Sequence, residues 1–260
     1  MEVAVCVKQI PGPDSPQEID PSTGRLVREG QPVIDEADTY GVETALQLVE
    51  RAGAGSVTVL SMAPGGETSG VRAALAMGAD RAMVVSDERL AGSDALGTAR
   101  VLAAACRRCG AELLVAGTES GDGYSGVVPA QVAELLGWPA VTFVRRIELD
   151  GGELRAERQG ELGTEVIACP LPAVVTVTAG AVEPRYPSFA GIRSARQKPV
   201  EELDLSALGV DPAGVGEAGA RQRVVAVRAV EEERGSGEVL EDDGRADERV
   251  LRALSEWKVI

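Results

Sequence analysis

Leu113-Leu114-Val115-Ala116-Gly117-Thr118-Glu119-Ser120-Gly121-Asp122-Gly123-Tyr124-Ser125-Gly126-Val127-Val128-Pro129 passes from an apolar run, through small and hydroxyl residues, into helical spacing that continues to Leu136. It reads as a strand over Leu113 to Ala116, a glycine-rich loop, and a helix beginning at Val127. Such a junction leaves backbone N–H groups facing outward at the positive end of a helix dipole, where a phosphate fits. The same glycines also suit an ordinary βα turn.

On the N-terminal side, Val3 to Val7, Ser56 to Leu60 and Ala82 to Val85 are three further short apolar strands. Between them lie helical patterns: one after Asp38 carrying Val42, Ala45, Leu46 and Val49, one opened by Pro64-Gly65-Gly66-Glu67 carrying Val71, Ala74 and Leu75, and one from Asp94 to Cys109 with Ser93 as N-cap. This alternation predicts an α/β fold with a mostly parallel nucleotide-binding sheet and helices on both faces. Ligands in such sheets sit beyond the carboxyl ends of the strands, so the loops after Val7, Leu60 and Ala116 should converge. Lys8-Gln9-Ile10-Pro11-Gly12-Pro13 reads as turn residues that end the first strand, and Glu18-Ile19-Asp20 with Arg25-Leu26-Val27 as a small hairpin.

On the C-terminal side, Val141 to Val144, Leu154 to Arg158, Thr164 to Ile167 and Ala173 to Val177 form a strand series. Asp150-Gly151-Gly152 supplies turn chemistry, which predicts an antiparallel strand addition to the sheet. Glu183-Pro184-Arg185-Tyr186-Pro187-Ser188-Phe189 is a proline-bounded segment leading into a short basic helix over Ile192 to Arg196, and on its residues alone it reads as a surface connection. We divide the chain into an α/β domain over 1–200 and a C-terminal arm over 201–260. The arm holds a strand over Arg223 to Val227, a flexible acidic run, and a helix from Ala246 to Trp257. Val250, Leu251, Leu254 and Trp257 give that helix an apolar stripe suited to docking, on a partner chain or on its own domain.

Composition excludes several function classes. The net charge is −15, so a basic surface for nucleic acid is not expected. There is no histidine, which removes Ser-His-Asp and Cys-His nucleophile systems and the usual neutral-pH proton shuttle. Aromatic residues make up 3%, too few for single-strand stacking platforms. Cys106 and Cys109 form a CxxC with no second pair to complete a metal site, and two small helix residues account for them. No apolar run approaches the roughly 20 residues that span a bilayer, and Met1-Glu2-Val3-Ala4-Val5 lacks the features of a signal peptide, so we expect a cytoplasmic protein without membrane insertion.

Taken in order, Val5-Cys6-Val7-Lys8, Ala73-Ala74-Leu75-Ala76-Met77-Gly78-Ala79-Asp80-Arg81, Glu134-Leu135-Leu136-Gly137-Trp138-Pro139, Leu171-Pro172-Ala173-Val174-Val175-Thr176-Val177 and Glu183 to Phe189 resemble the beta subunit of electron transfer flavoprotein. Asp35 to Ala45 and the glycine loop are most similar to actinobacterial members. The resemblance implies an electron carrier, not an enzyme, paired with an alpha subunit that holds most of the FAD. It implies transfer from flavin dehydrogenases, such as the acyl-CoA dehydrogenases of fatty acid oxidation, towards the respiratory chain through a quinone oxidoreductase.

It also implies AMP bound structurally in this subunit, by Cys6, Asp35, Glu36, Ala37, Asp38, Met62, Gly117, Thr118, Glu119, Ser120, Gly121, Asp122, Gly123, Tyr124, Ser125, Gly126, Val127 and Val128. The segment with Arg185, Tyr186, Pro187, Ser188, Phe189 and Ile192 looks like the family's recognition loop for the dehydrogenase, with Phe189 where many members have leucine. Asp35-Glu36 stands where many members have Asn-Pro, and Gln159 where a glutamate near the flavin is commoner. Electron-bifurcating members, which hold a second FAD, carry Asp-Gly-Asp-Thr where this chain has Asp122-Gly123-Tyr124-Ser125. The alternatives are such a bifurcating subunit and a stand-alone adenine-nucleotide protein. An ATP pyrophosphatase would need a Ser-Gly-Gly-x-Asp-Ser loop after the first strand, where Lys8 to Pro13 stands.

Overall fold

The computed structural model describes residues 1–12, 14–15, 18–63, 65–150, 152–227, 239 and 244–260. Its first compact unit, Met1–Val225, begins with β1 (Glu2–Cys6), β2 (Gln9–Pro11), the two-residue strands β3 (Ile19–Asp20) and β4 (Arg25–Leu26), and β5 (Pro32–Ile34). Then follow α1 (Glu36–Ala52), β6 (Ser56–Met62), α2 (Ser69–Met77), β7 (Arg81–Val85), α3 (Ala95–Cys109), β8 (Leu113–Gly117) and α4 (Val128–Leu136). The unit continues with β9 (Ala140–Asp150), β10 (Glu153–Gly160), β11 (Gly163–Pro170), β12 (Ala173–Val177), α5 (Phe189–Ala195), β13 (Val200–Leu203) and the short α6 (Gly216–Gly219).

Nine strands form one sheet in the order β11-β10-β9-β12-β8-β1-β6-β7-β13. From β9 to β13 every neighbouring pair is parallel, while β10 and β11 join antiparallel at the other edge. Strand alternation explains why helices cover both faces. Val3 and Val5 of β1, Leu113 and Val115 of β8 and Val175 of β12 pack in one cluster with Val42, Ala45 and Leu46 of α1 and Val71 and Leu75 of α2. Ala4, Leu114 and Val174, of opposite parity, pack in a second cluster with Ala99, Leu102 and Cys106 of α3 and Val132 of α4. The mostly parallel sheet, its two helical layers and its antiparallel addition agree with the sequence reading, as does the β3–β4 hairpin.

Several local expectations are corrected. Gln9–Pro11 is a strand, not only a turn: Ile10 pairs with Val33, and Pro11 faces Pro32 at the end of the ladder, where a missing N–H costs least. α1 starts three residues earlier than expected because Asp35, not Asp38, is its N-cap, and Asp94, not Ser93, caps α3 through a 2.8 Å bond from the Gly97 N–H. Ser93 Oγ instead accepts from the Gly216 N–H at 2.8 Å and donates to the Leu90 carbonyl at 2.7 Å. α2 begins at Ser69, with the Glu67 carboxylate accepting the Thr68 and Ser69 amides. Arg223 to Val227 joins no strand, and its Val224 and Val225 are exposed.

The boundary drawn at residue 200 falls at β13, which pairs with β7, and the first unit extends to Val225. The second unit, Ala226–Ile260, contains α7 (Ala246–Glu256), with Asp247 and Glu248 in its first turn and Val250, Leu251 and Trp257 exposed. Most of the acidic run lies outside the described residues.

Candidate functional site

Strand order reverses beside β1: the chain moves out to β6 and β7 on one side, then returns through α3 to β8 on the other. The crevice at the carboxyl ends of β1 and β8 is therefore the topological switch point. Three segments meet there: Cys6 to Lys8 after β1, Asp35 to Asp38 at the start of α1, and the loop after β8.

Asp35 is 2% exposed and joins two of them. Its Oδ1 accepts the Ala37 N–H at 3.1 Å, capping α1, and its Oδ2 accepts the Gly121 N–H at 2.7 Å. Asp38, also buried, accepts the Lys8 N–H at 2.6 Å. Glu36 is exposed and Ala37 half-buried. Gly117 leaves the room that closeness demands: a Cβ there would stand 3.1 Å from Asp38 Oδ1 and 3.2 Å from Ala37 Cβ. Cys6 and Met62, at the ends of β1 and β6, both pack half-buried against the second core cluster.

Thr118 is tied back to the Val177 carbonyl by its N–H at 3.2 Å and its hydroxyl at 3.1 Å. Ser120 Oγ accepts from Lys8 Nζ at 3.1 Å, and the Tyr124 N–H donates to the Ser120 carbonyl at 3.0 Å. Tyr124 and Gly126 take the left-handed region, with φ of 45° and 62°, which turns the chain sharply towards α4. Glu119, Gly123, Ser125 and Val127 are exposed, and Val128 opens α4 half-buried. Val127 caps that helix with no side-chain hydrogen bond, and since Pro129 has no N–H, its first turn is left with the Val128 and Ala130 amides without a built-in side-chain acceptor.

Lys8 and Arg28, absent from the sequence-derived set, complete the site. Lys8 Nζ reaches Asp122 Oδ1 at 2.6 Å, and the Arg28 guanidinium bonds Oδ2 of the same carboxylate. Burial pushes the Asp122 pKa up, but the Lys8 hydrogen bond and charge, followed by those of Arg28, hold it below the ordinary value. Lys8 was legible as a cation directly after the first strand; Arg28 carries no sequence signal of its own.

Burial pushes the Asp38 carboxyl up to about 8, the charge of Asp35 adding to the rise and the Lys8 amide opposing it. An acid that ionises later in the folded than in the unfolded state loses stability as pH rises between the two values, here from about 4 to 8. Asp38→Asn, which keeps an acceptor for the Lys8 amide, should flatten the melting temperature over that range; an unchanged slope would show that Asp38 is not its source. Burial, with Asp38 and Cys109 adding, raises the Cys6 thiol, so it stays protonated and unreactive. Among the described residues no cluster of three or more metal-ligating side chains occurs.

On the α2 side of the unit, Arg185 does not face outward as a recognition residue would. Its guanidinium bonds Glu43 at 2.7 and 3.1 Å and Glu50 at 2.6 and 3.1 Å, both on α1, and so roots the segment. At the other end Lys198 Nζ caps α2 on the carbonyls of Leu75, Gly78 and Ala79. Gly191 lets α5 approach α2, since a Cβ there would lie 2.5 Å from the Ala76 carbonyl oxygen. Ser188 caps α5 on the Gly191 amide at 3.0 Å, and Pro187 is half-buried. On this braced support Tyr186 is 92% exposed, Phe189 95% and Ile192 48%. Gln159, on β10, accepts from Arg145 of β9.

Residues 23–208 match the electron transfer flavoprotein domain. A protein of Mycobacterium tuberculosis named electron transfer flavoprotein subunit beta is 38% identical over 264 residues, covering 99% of both chains, and its Mycobacterium leprae counterpart is 39% identical with the same coverage. The chain belongs to the electron transfer flavoprotein beta subunits. The Caffeyl-CoA reductase-Etf complex subunit CarD of Acetobacterium woodii is 34% identical over 83% of each chain. As a beta subunit of this family the chain implies an alpha subunit partner, and the actinobacterial resemblance read from Asp35 to Ala45 agrees with the mycobacterial relatives. Among the described residues no helix is long and apolar enough to cross a membrane.

Proposed function

We propose that this electron transfer flavoprotein beta subunit holds AMP in the crevice between β1 and β8, while its alpha partner holds most of the FAD, and that the pair carries electrons from flavin dehydrogenases towards a quinone oxidoreductase. The observation that carries the nucleotide reading is the convergence of the glycine loop, the α1 start and Lys8 at the switch point. The residues fit the group. The N–H groups of the loop and those of Val128 and Ala130 at the start of α4 would take a phosphate, with Lys8 nearby to offset its charge. Cys6 and Met62 offer an apolar wall for the base, and Asp35 to Asp38 border the same crevice.

AMP supplies no chemistry in this reading; it fills and braces the subunit. FAD supplies the redox chemistry when bound by the alpha subunit. This chain's residues exclude water, fix the loop and present Tyr186, Phe189 and Ile192 to the dehydrogenase. A chain without histidine suits a carrier in which no bond is made by the protein. The competing stand-alone nucleotide protein is tested by supplying ATP to the purified heterodimer. The carrier reading expects no release of phosphate or pyrophosphate, and sustained release would overturn it.

A further inference from the structure

The glycine loop carries two carboxylates, and whereas Glu119 is exposed, the Asp122 side chain is only 3% exposed. Lys8 occupies one of its oxygens and Arg28 the other. Lys8 follows β1 in the body of the sheet, whereas Arg28 comes from the segment 18–31. That segment has little core of its own: its β3–β4 hairpin pairs only Ile19 with Leu26 and Asp20 with Arg25, and Ile19 is 42% exposed. A two-residue ladder is too short to hold itself in water, so side-chain ties must place it. Arg25 makes an exposed 3.2 Å pair with Glu217, worth little. The Arg28 bond ends on a buried carboxylate and is the stronger tie.

We propose that Arg28 is a positioning residue that locks the 18–31 segment onto the nucleotide loop, so that the loop's binding shape and the order of that segment rise and fall together. With both Asp122 oxygens held, the turn from Ser120 to Tyr124 is fixed around Lys8, and a Cβ at Gly123 would lie 3.1 Å from Ser120 Oγ and 3.4 Å from Lys8 Nζ. Removing Arg28 leaves Asp122 with one cation and frees the segment. By linkage, a ligand that favours the closed loop also orders residues 18–31. The consequence for nucleotide release rests on the AMP reading; the coupling of the two segments does not.

The test is amide hydrogen exchange on the alpha-beta heterodimer, comparing wild type with Arg28→Gln and Arg28→Lys, together with the release rate of bound AMP. For Arg28→Gln we expect exchange at the Gly121 and Tyr124 amides and across residues 18–31 to speed up together by about tenfold, and AMP release to speed up similarly, on the scale of one lost charge-assisted bond. Arg28→Lys should restore most of both, and Asp122→Asn, which weakens the Lys8 tie as well, should do at least as much as Arg28→Gln, with no further effect when Arg28→Gln is added to it. Unchanged exchange at Gly121 and Tyr124 in Arg28→Gln, or exchange that rises in only one of the two segments, would overturn the proposal. If the wild-type heterodimer carries no AMP, the nucleotide reading fails, and the exchange result still decides the role of Arg28.

Discussion

Phe189→Ala should lower the rate of flavin reduction by the donor dehydrogenase, at limiting concentration, by about 30-fold, while FAD content and melting temperature stay unchanged. A large apolar side chain that is 95% exposed buries nothing in the subunit itself, so its removal touches stability only within the roughly ±0.5 kcal/mol usual for surface positions. The braces beneath it explain why it can act as an anchor. Arg185 on Glu43 and Glu50, Lys198 on the end of α2 and the Gly191 contact with α2 hold the segment before any partner arrives, so little ordering cost remains to be met on docking. An apolar anchor seated in a partner's pocket contributes on the order of 2 kcal/mol, which is the 30-fold effect. Stopped-flow reduction with a cognate dehydrogenase reads it. Loss of FAD in place of slower reduction would mean that the segment is structural.

Asp35→Ala should release the nucleotide and lower stability together. The substitution removes the cap of α1, worth about 1 kcal/mol, and the acceptor of the Gly121 amide, a bond to a charged group worth about 1.5–3 kcal/mol. We expect a fall of several degrees in melting temperature and at least a tenfold loss of AMP affinity. Asp35→Asn should recover most of the stability, because Asn caps as well as Asp, while recovering less of the affinity. Equilibrium dialysis of labelled AMP against the heterodimer separates the two effects. Full retention of AMP by Asp35→Ala would remove Asp35 from the site.

The sheet was legible in the sequence because each core strand is a short apolar run bounded by turn residues, and the helices between them carry one-sided stripes. The strand that starts the decisive stretch is an example: Leu113 to Val115 are buried on both faces, as a central parallel strand must be. What the sequence concealed depends on pairings distant in the chain. Pro11 looked like a terminator because its partner, Pro32, lies across a polar excursion. Asp35 and Asp38 are equally good caps on paper, and only their partners decide between them: Asp38 is taken by the distant Lys8 amide, while Asp35 accepts the Ala37 amide of the first turn.

Arg223 to Val227 has strand composition, but it pairs with no strand and leaves Val224, Val225 and Val227 exposed. Arg185 read as part of an exposed patch, whereas its guanidinium finds two glutamates more than a hundred residues earlier. The Arg28 bond to Asp122 spans 94 residues and leaves no periodic trace. The positions of the glycine loop were visible from their types, since only small residues allow the close approach of Gly117 to α1. The ion pairs that shape the loop were not.

The central claim is that the crevice beside β1 holds a structural AMP and that the redox flavin belongs to the partner. The direct measurement is to purify the chain with its alpha subunit, denature the heterodimer, and quantify the released cofactors by chromatography. One FAD and one AMP per heterodimer is the result expected here. Two FAD and no AMP would contradict it and place a second flavin against the loop that carries Tyr124.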